Sequence, residues 1–261
     1  MCNLAVSESA LDSLARVVTF SMPSISLVIP TLNEAENLKH VLPQIPDYVS
    51  EVIIVDGGSV DETVATVREL CPRALVLHEP RCGKGIALQR GFDAVSGDIV
   101  VTIDADGSMD PGEIIVFVGA LLAGADFAKG SRFLQGGGTA DMEWYRRFGN
   151  WGLKTLVRLG FGGHFSDLCY GYNAFWTESL RRLKVDVSGF EVETLINIQA
   201  LKHKLKISEV PSFEAQRING VSHLNTIQDG WRVLRTIIGE FASLHRPGAR
   251  SSMAPLSDSV D

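Results

Sequence analysis

The sequence predicts an α/β domain with a mostly parallel central sheet and helices on its faces. Three observations predict it. Short apolar runs, ISLVI (25–29), EVIIVD (51–56) and DIVVTID (98–104), lack the polar alternation of a half-exposed strand, so they read as strands buried on both faces. Segments with helical patterning separate them. Each run gives way to carboxylates, glycines or amides, and open α/β sheets bind ligands at the carboxyl ends of their strands.

The elements follow in order. ISLVI is the first strand, and EAENLKHVLPQI (34–45) is a helix broken near Pro43. EVIIVD is the second strand. DETVATVREL (61–70) is a helix that opens with acids, which suits the positive end of its dipole. ALVLHE (74–79) is a strand, GIALQRGFDAV (85–95) a helix and DIVVTID the fourth strand. PGEIIVFVGALLAG (111–124) is a helix with proline in its first turn, and ADFAKGSRF (125–133) a further strand. Beyond it the pattern is less regular. MEWYRRFGNWGLKTLVRLGFG (142–162) is an amphipathic helix with aromatic and basic residues, suited either to ordinary packing or to an acceptor. FEVETLINIQALKHK (190–204) puts Glu191 and Glu193 at a helix start, either to satisfy its N-terminus or to line a site. The last helix carries a stripe of Leu224, Ile227, Trp231, Leu234, Ile238, Phe241 and Leu244, which fits docking on the core or contact with a membrane surface or partner. Residues 1–23 read as a loosely ordered extension, 24–245 as one domain and 246–261 as a flexible tail.

The 261 residues are 45% hydrophobic and 21% charged, which supplies an ordinary globular core. A net charge of −7 argues against a nucleic-acid partner. The charge is uneven: residues 202–250 hold eight basic and four acidic side chains, a net +4 against −11 elsewhere. Such a third suits either a solvated face or an anionic ligand. Cys2, Cys71, Cys82 and Cys169 are scattered, without metal-ligand spacing, and fit a reducing cytoplasm. The N-terminus lacks the pattern of a signal peptide, and no apolar run is long enough to cross a bilayer. The expected location is cytoplasmic, with peripheral contact at the inner face of the membrane as the variant.

The strand ends carry the chemistry. They are Pro30-Thr31-Leu32-Asn33-Glu34, Asp56-Gly57-Gly58-Ser59, Arg81-Cys82-Gly83-Lys84-Gly85 and Asp104-Ala105-Asp106-Gly107-Ser108. Asn33 and Ser59 taken singly read as helix caps; four polar ends together do not. Gly83-Lys84-Gly85 lacks the spacing of a phosphate-binding P-loop, and no dinucleotide fingerprint is present. Asp104 and Asp106, two apart after a buried strand, are expected on one side, where their repulsion calls for a cation. Oxygen-only ligands suit Mg²⁺ or Mn²⁺, with phosphate oxygens completing the shell and Ser108 as a further ligand. Asp110, before Pro111, is expected to cap the next helix.

VIPTLNEAENL, IIVDGGSVDET, GKGIALQRGFDAVSGD, IDADGSMDP and KGSRF resemble, in order, the motifs of family 2 glycosyltransferases of the A-type fold. EVPSFEAQRINGVSHL is similar to a segment of their dolichol-phosphate mannosyltransferase-like branch. The resemblance covers about residues 25–225. It implies a Rossmann-like nucleotide-sugar half (24–133) and an acceptor half (134–245). It further implies that Pro30, Leu32 and Glu34 lie along the nucleotide, with Asp56 at base or ribose and Ser59 nearby. Lys84 and Asp104 approach the nucleotide, Asp106 and Ser108 serve the metal with Asp104, and Arg132, Arg217 and Arg146 or Arg147 meet phosphates. Asp167 matches an acidic position of the family, whereas Asn173 and His223 stand where the family has arginine and lysine.

The expected reaction is a metal-dependent inverting transfer from a UDP- or GDP-sugar to polyprenyl phosphate, or to a small soluble acceptor. A neutral hydroxyl acceptor needs a base, for which Asp167, or second Glu191, is the candidate; an ionised phosphate needs none. The competing readings are a sugar nucleotidyltransferase, whose glycine-rich, arginine-containing loop is missing after the first strand, and a non-catalytic nucleotide-sugar-binding subunit.

Overall fold

The computed structural model describes residues 22–81, 83–140, 142–221 and 225–244. Cys82, His223, Leu224, the tail and nearly all of the N-terminal extension lie outside the described residues.

The expected alternation is present. β1 (Ile25–Thr31), α1 (Ala35–Val41), β2 (Glu51–Asp56), α2 (Thr63–Leu70), β3 (Leu75–His78), α3 (Lys84–Phe92), β4 (Ile99–Thr102), α4 (Ile114–Leu122) and β5 (Phe127–Ser131) follow one another. Pro43 ends the first helix in a 3₁₀ turn, Leu42–Gln44, because its ring excludes the amide that a longer helix needs. The fourth helix likewise begins as a 3₁₀ turn, Pro111–Glu113, which Asp110 caps by accepting from Gly112 N at 2.7 Å. The second half adds β6 (Gly138–Thr139), α5 (Trp144–Phe161), β7 (Asn173–Trp176), α6 (Thr177–Arg181), α7 (Val192–Lys202), β8 (Ile207–Pro211), β9 (Phe213–Glu214) and α8 (Thr226–Leu244).

Seven strands form one sheet in the order β3-β2-β1-β4-β7-β5-β8. All neighbours are parallel except β7, which runs antiparallel between β4 and β5. Its entry moves β5 one place from β4 and brings the Cys169–Asn173 segment to the carboxyl edge beside Asp104. Two apolar clusters cover the faces. One joins α1, α2 and α4 to the sheet; the other joins α3, α6 and α7, with Phe127 and Phe175 stacked at 4.3 Å. Full burial of such a ring contributes about 1.5–3 kcal/mol. A third cluster, including Val157, Ile198, Val233 and Ile237, ties α5, α7 and α8 together. The last helix docks through Val233 and Ile237, which lie beside the expected stripe and not on it, while the stripe residues Ile227, Trp231, Ile238, Phe241 and Leu244 stay exposed.

Candidate active site

The first two strand ends are laced to each other. Asn33 takes a left-handed φ of 56°, which short amide side chains tolerate. Its amide donates to Ser59 Oγ at 2.8 Å, and its Oδ1 accepts from Val60 N at 2.8 Å. Neither residue is a helix cap; Asp61 takes that place, accepting from Thr63 N at 3.0 Å and Ala35 N at 3.2 Å. Asp56 is buried at the end of β2, where its carboxylate accepts from the amides of Gly58 and Ser59, each at 3.2 Å. Pro30, Leu32, Glu34 and Gly57 line a cavity of about 660 Å³, whereas Asp56 and Ser59 are not among its lining residues. The volume suits a small-molecule ligand.

Lys84 begins α3 between two glycines. A side chain at Gly83 or Gly85 would collide with the carbonyl oxygens of Ser188 and Val187, and Gly85 N donates to Ser188 O at 2.9 Å. This close approach aims Lys84 at the acidic turn. Its Nζ lies 2.6 Å from Asp104 Oδ1 and 3.1 Å from Glu193 Oε1. Burial disfavours the ammonium, but the two carboxylates outweigh it and raise the lysine above its ordinary range. Gly171 makes room for this triad, since a side chain there would press on all three groups. Asn173 Nδ2 holds the other oxygen of Glu193 at 2.9 Å.

The acidic pair departs from expectation. β4 stops at Thr102, so Asp104 and Asp106 lie in the following turn, and each meets a separate cation of the chain. Asp106 Oδ2 is 3.1 Å from Arg217 Nη2, and Arg217 Nη1 donates to Glu34 Oε1 at 2.9 Å. Asp106 Oδ1 accepts from Ser108 N at 3.0 Å and Ser108 Oγ at 2.7 Å. Ser108 thus orients Asp106.

Arg132 is placed in the cavity wall and fully engaged. Its Nε and Nη2 donate to Asp167 at 2.6 and 3.0 Å, and its Nη1 to Glu214 at 3.0 and 3.1 Å. The guanidinium lies 4.8 Å from the centre of the Tyr170 ring. Asp167 is 0% exposed and does not line the cavity, which corrects its expected place as a base beside the acceptor. Burial would raise its pKa, yet Arg132 beside it holds the carboxyl below the usual range. Glu191, the second candidate base, is also buried away from the cavity, accepting from Gly189 N at 3.1 Å; Glu193 is the one that lines it. Arg146 faces the cavity from α5, while Arg147 lies over the Phe133 ring at 5.3 Å. Sequence reasoning missed the Glu214 clamp and the Asn173–Glu193 bond. Both join segments far apart in the chain, and no local pattern announces either.

Among the described residues, no three metal-ligating side chains form a group that could hold an ion alone. Asp106, with Asp104 near it, fits an ion of the Mg²⁺ or Mn²⁺ kind, which binds through one or two carboxylates and takes further ligands from substrate phosphates.

The strand-end cavity with acidic turn, lysine and arginines on a mostly parallel sheet defines a glycosyltransferase of the A-type fold. The glucosyl-3-phosphoglycerate synthase of Mycobacterium tuberculosis, solved with Mn²⁺, UDP and glucosyl-3-phosphoglycerate, matches with a TM-score of 0.66 at 25% identity, over 93% of this chain and 86% of that one. The chain belongs to glycosyl transferase family 2, whose model matches residues 26–184. It is 32% identical to the polyprenol monophosphomannose synthase of Mycolicibacterium smegmatis, over 76% of this chain and 80% of that protein. It is 30% identical to the dolichol-phosphate mannosyltransferase of Pyrococcus furiosus, over 77% of this chain but 59% of that protein's length. The protein is therefore a glycosyltransferase that uses nucleotide-sugar donors.

Proposed function

We propose that this enzyme transfers a hexose from a UDP- or GDP-sugar to polyprenyl phosphate, with inversion at C1 and with a divalent metal. The observation that carries the acceptor is the far wall of the cavity. It is built by Arg146, Gly149 and Leu153 of α5 and by Asp229, Arg232 and Val233 of α8. The same helices expose Trp144, Phe148, Trp151, Ile227 and Trp231 to the outside. Aromatics flanked by arginines suit the headgroup boundary of a membrane, where a lipid-linked phosphate is presented. The matched proteins from M. smegmatis and P. furiosus are named for polyprenol and dolichol phosphate chemistry.

The burial of Asp167 and Glu191 supports the same acceptor. An ionised phosphate oxygen attacks C1 from the face opposite the diphosphate. One C1–O bond forms, the other breaks, and its electron pair leaves on the nucleoside diphosphate; no proton needs removal. Lys84 and Arg217 line the cavity and would meet the charge gathering on the leaving diphosphate; such preorganised cations supply the largest kind of catalytic term. A Mg²⁺ or Mn²⁺ ion held by Asp106 and Asp104 would add Lewis-acid stabilisation of that leaving group. Arg132, clamped by Asp167 and Glu214, shapes the wall between donor and acceptor.

The test supplies UDP- and GDP-hexoses with Mg²⁺ or Mn²⁺, and with either polyprenyl phosphate or a soluble phosphorylated acceptor. Labelled lipid product, with release of nucleoside diphosphate, is expected. Transfer confined to the soluble acceptor would overturn the lipid reading.

A further inference from the structure

The strap that carries Arg217 is tied to the acidic turn. Ala215 N donates to Ser108 O at 2.8 Å and Ile218 N to Asp106 O at 3.1 Å. Asn219 N donates to Asn37 Oδ1 at 2.8 Å, and Asn37 Nδ2 returns to Asn219 O at 3.2 Å while also reaching Glu34. Ile218 packs onto Gly107, where a side chain would collide with it. Within this frame the guanidinium forks between Glu34 and Asp106 Oδ2. Ser108 already occupies Oδ1 with two hydrogen bonds, so Oδ2 is the oxygen left to face a cation.

We propose that Arg217 is a resident counter-ion. It holds the metal-facing oxygen of Asp106 until a divalent ion enters with the nucleotide, and the exchange releases its Nη2 to the diphosphate. This rests on the metal-dependent reading above. Two carboxylates converging on one partly buried point repel each other without a cation, and a planar guanidinium bridges them better than a point charge. A divalent ion on Oδ2 and a guanidinium at 3.1 Å from that oxygen repel as like charges at contact. Nη1 keeps its bond to Glu34 and acts as the pivot, while Nη2 loses its partner and turns to the nearest anion. Metal alone must displace Arg217 and binds weakly. Metal with nucleotide gives the displaced guanidinium a new partner, so the two ligands strengthen each other's binding.

The experiment measures Mn²⁺ affinity by the electron paramagnetic resonance of free Mn²⁺, with and without saturating UDP or GDP. In Arg217→Gln, Mn²⁺ alone is expected to bind about tenfold more tightly than in the wild type, the scale of one screened contact between charges. The strengthening by nucleotide should shrink. Arg217→Lys, which cannot fork, should fall between the two and serves if the glutamine variant does not fold. Arg146→Gln removes a cavity arginine that does not touch Asp106 and should leave Mn²⁺ affinity unchanged. Unchanged or weaker Mn²⁺ binding in both Arg217 variants, or equal tightening in Arg146→Gln, overturns the counter-ion assignment alone. Absence of Mn²⁺ binding by the wild type even with nucleotide overturns the metal-dependent reading itself, and this assignment with it.

Discussion

Asp106 and Asp110 lie four residues apart and have separate roles. Asp106 faces the cavity with one oxygen oriented by Ser108, whereas Asp110 caps the 3₁₀ turn before α4. Asp106→Ala should abolish transfer with little change in melting temperature. Asp110→Ala should lower stability by about 1 kcal/mol, the usual worth of a cap, and keep turnover. Steady-state rates and denaturant titrations of both variants check the division; equal loss of activity would refute it. Asp167 makes a different prediction. Asp167→Asn leaves Arg132 buried without half of its clamp and should destabilise the fold by about 3 kcal/mol. The native pKa of Asp167 is depressed, so its stabilising effect is complete above the ordinary aspartate pKa and fades as pH falls below about 4. Denaturant midpoints should therefore converge for wild type and Asp167→Asn in acid; a constant gap down to pH 2 would contradict the assignment. The sequence marks Asp106 and Lys84 as candidates by residue type and position at a strand end, and Arg217 only through the family resemblance; the structure brings all three to one cavity. The sequence does not show that Asp167 belongs under Arg132, because that depends on a clamp closed from Glu214, distant in the chain.

At the scale of elements, the alternating half is readable because β1, β2 and β4 are largely apolar and, with β5, almost wholly buried, and most breaks are marked by Pro or Gly; β3, partly exposed at the sheet edge, is read from its apolar run alone. β7 escapes that reading. It has only four residues, Asn173–Trp176, and follows a long irregular loop after α5, so nothing local shows that it runs antiparallel or enters between β4 and β5. β8 and β9 are hidden for a related reason: their partners, β5 and β6, lie far back in the chain. The start of α3 is the opposite case, since GKG is visible and its need is steric. Gly85→Ala would force the Val187–Ser188 backbone away from α3 and shift Lys84 off Asp104 and Glu193. Loss of donor affinity is expected, by about tenfold or more, with a folded protein. Calorimetric titration with UDP and GDP checks it, and an unaltered affinity would show that the contact is dispensable.

Across the whole molecule, two functions divide along the sheet. On the proposed reading, the acid-rich strand ends are the donor side, and α5 and α8, from the less regular half, are the acceptor wall. The sequence shows that both helices are amphipathic but not which face each presents, because that follows from the cluster joining them to α7. Once docked, the pair leaves Trp144 80% exposed, with Phe148, Trp151 and Trp231 also outward. Arg147, Arg158 and Arg235 belong to the same two helices. No described helix is long and apolar enough to cross a membrane, so any lipid contact made by these helices is at a surface. Aromatic insertion should supply most of the binding and the arginines the preference for anionic lipid. The protein should therefore float with vesicles containing anionic phospholipid, less with neutral ones, and less again in high salt, which screens the arginines. Trp144→Ser combined with Trp151→Ser should greatly reduce flotation and transfer to polyprenyl phosphate in vesicles. Neither tryptophan lines the cavity, so transfer to a short-chain, water-soluble polyprenyl phosphate should persist in that variant. Equal loss on both acceptors would place the tryptophans in folding or catalysis, and undiminished flotation would remove α5 from the membrane surface.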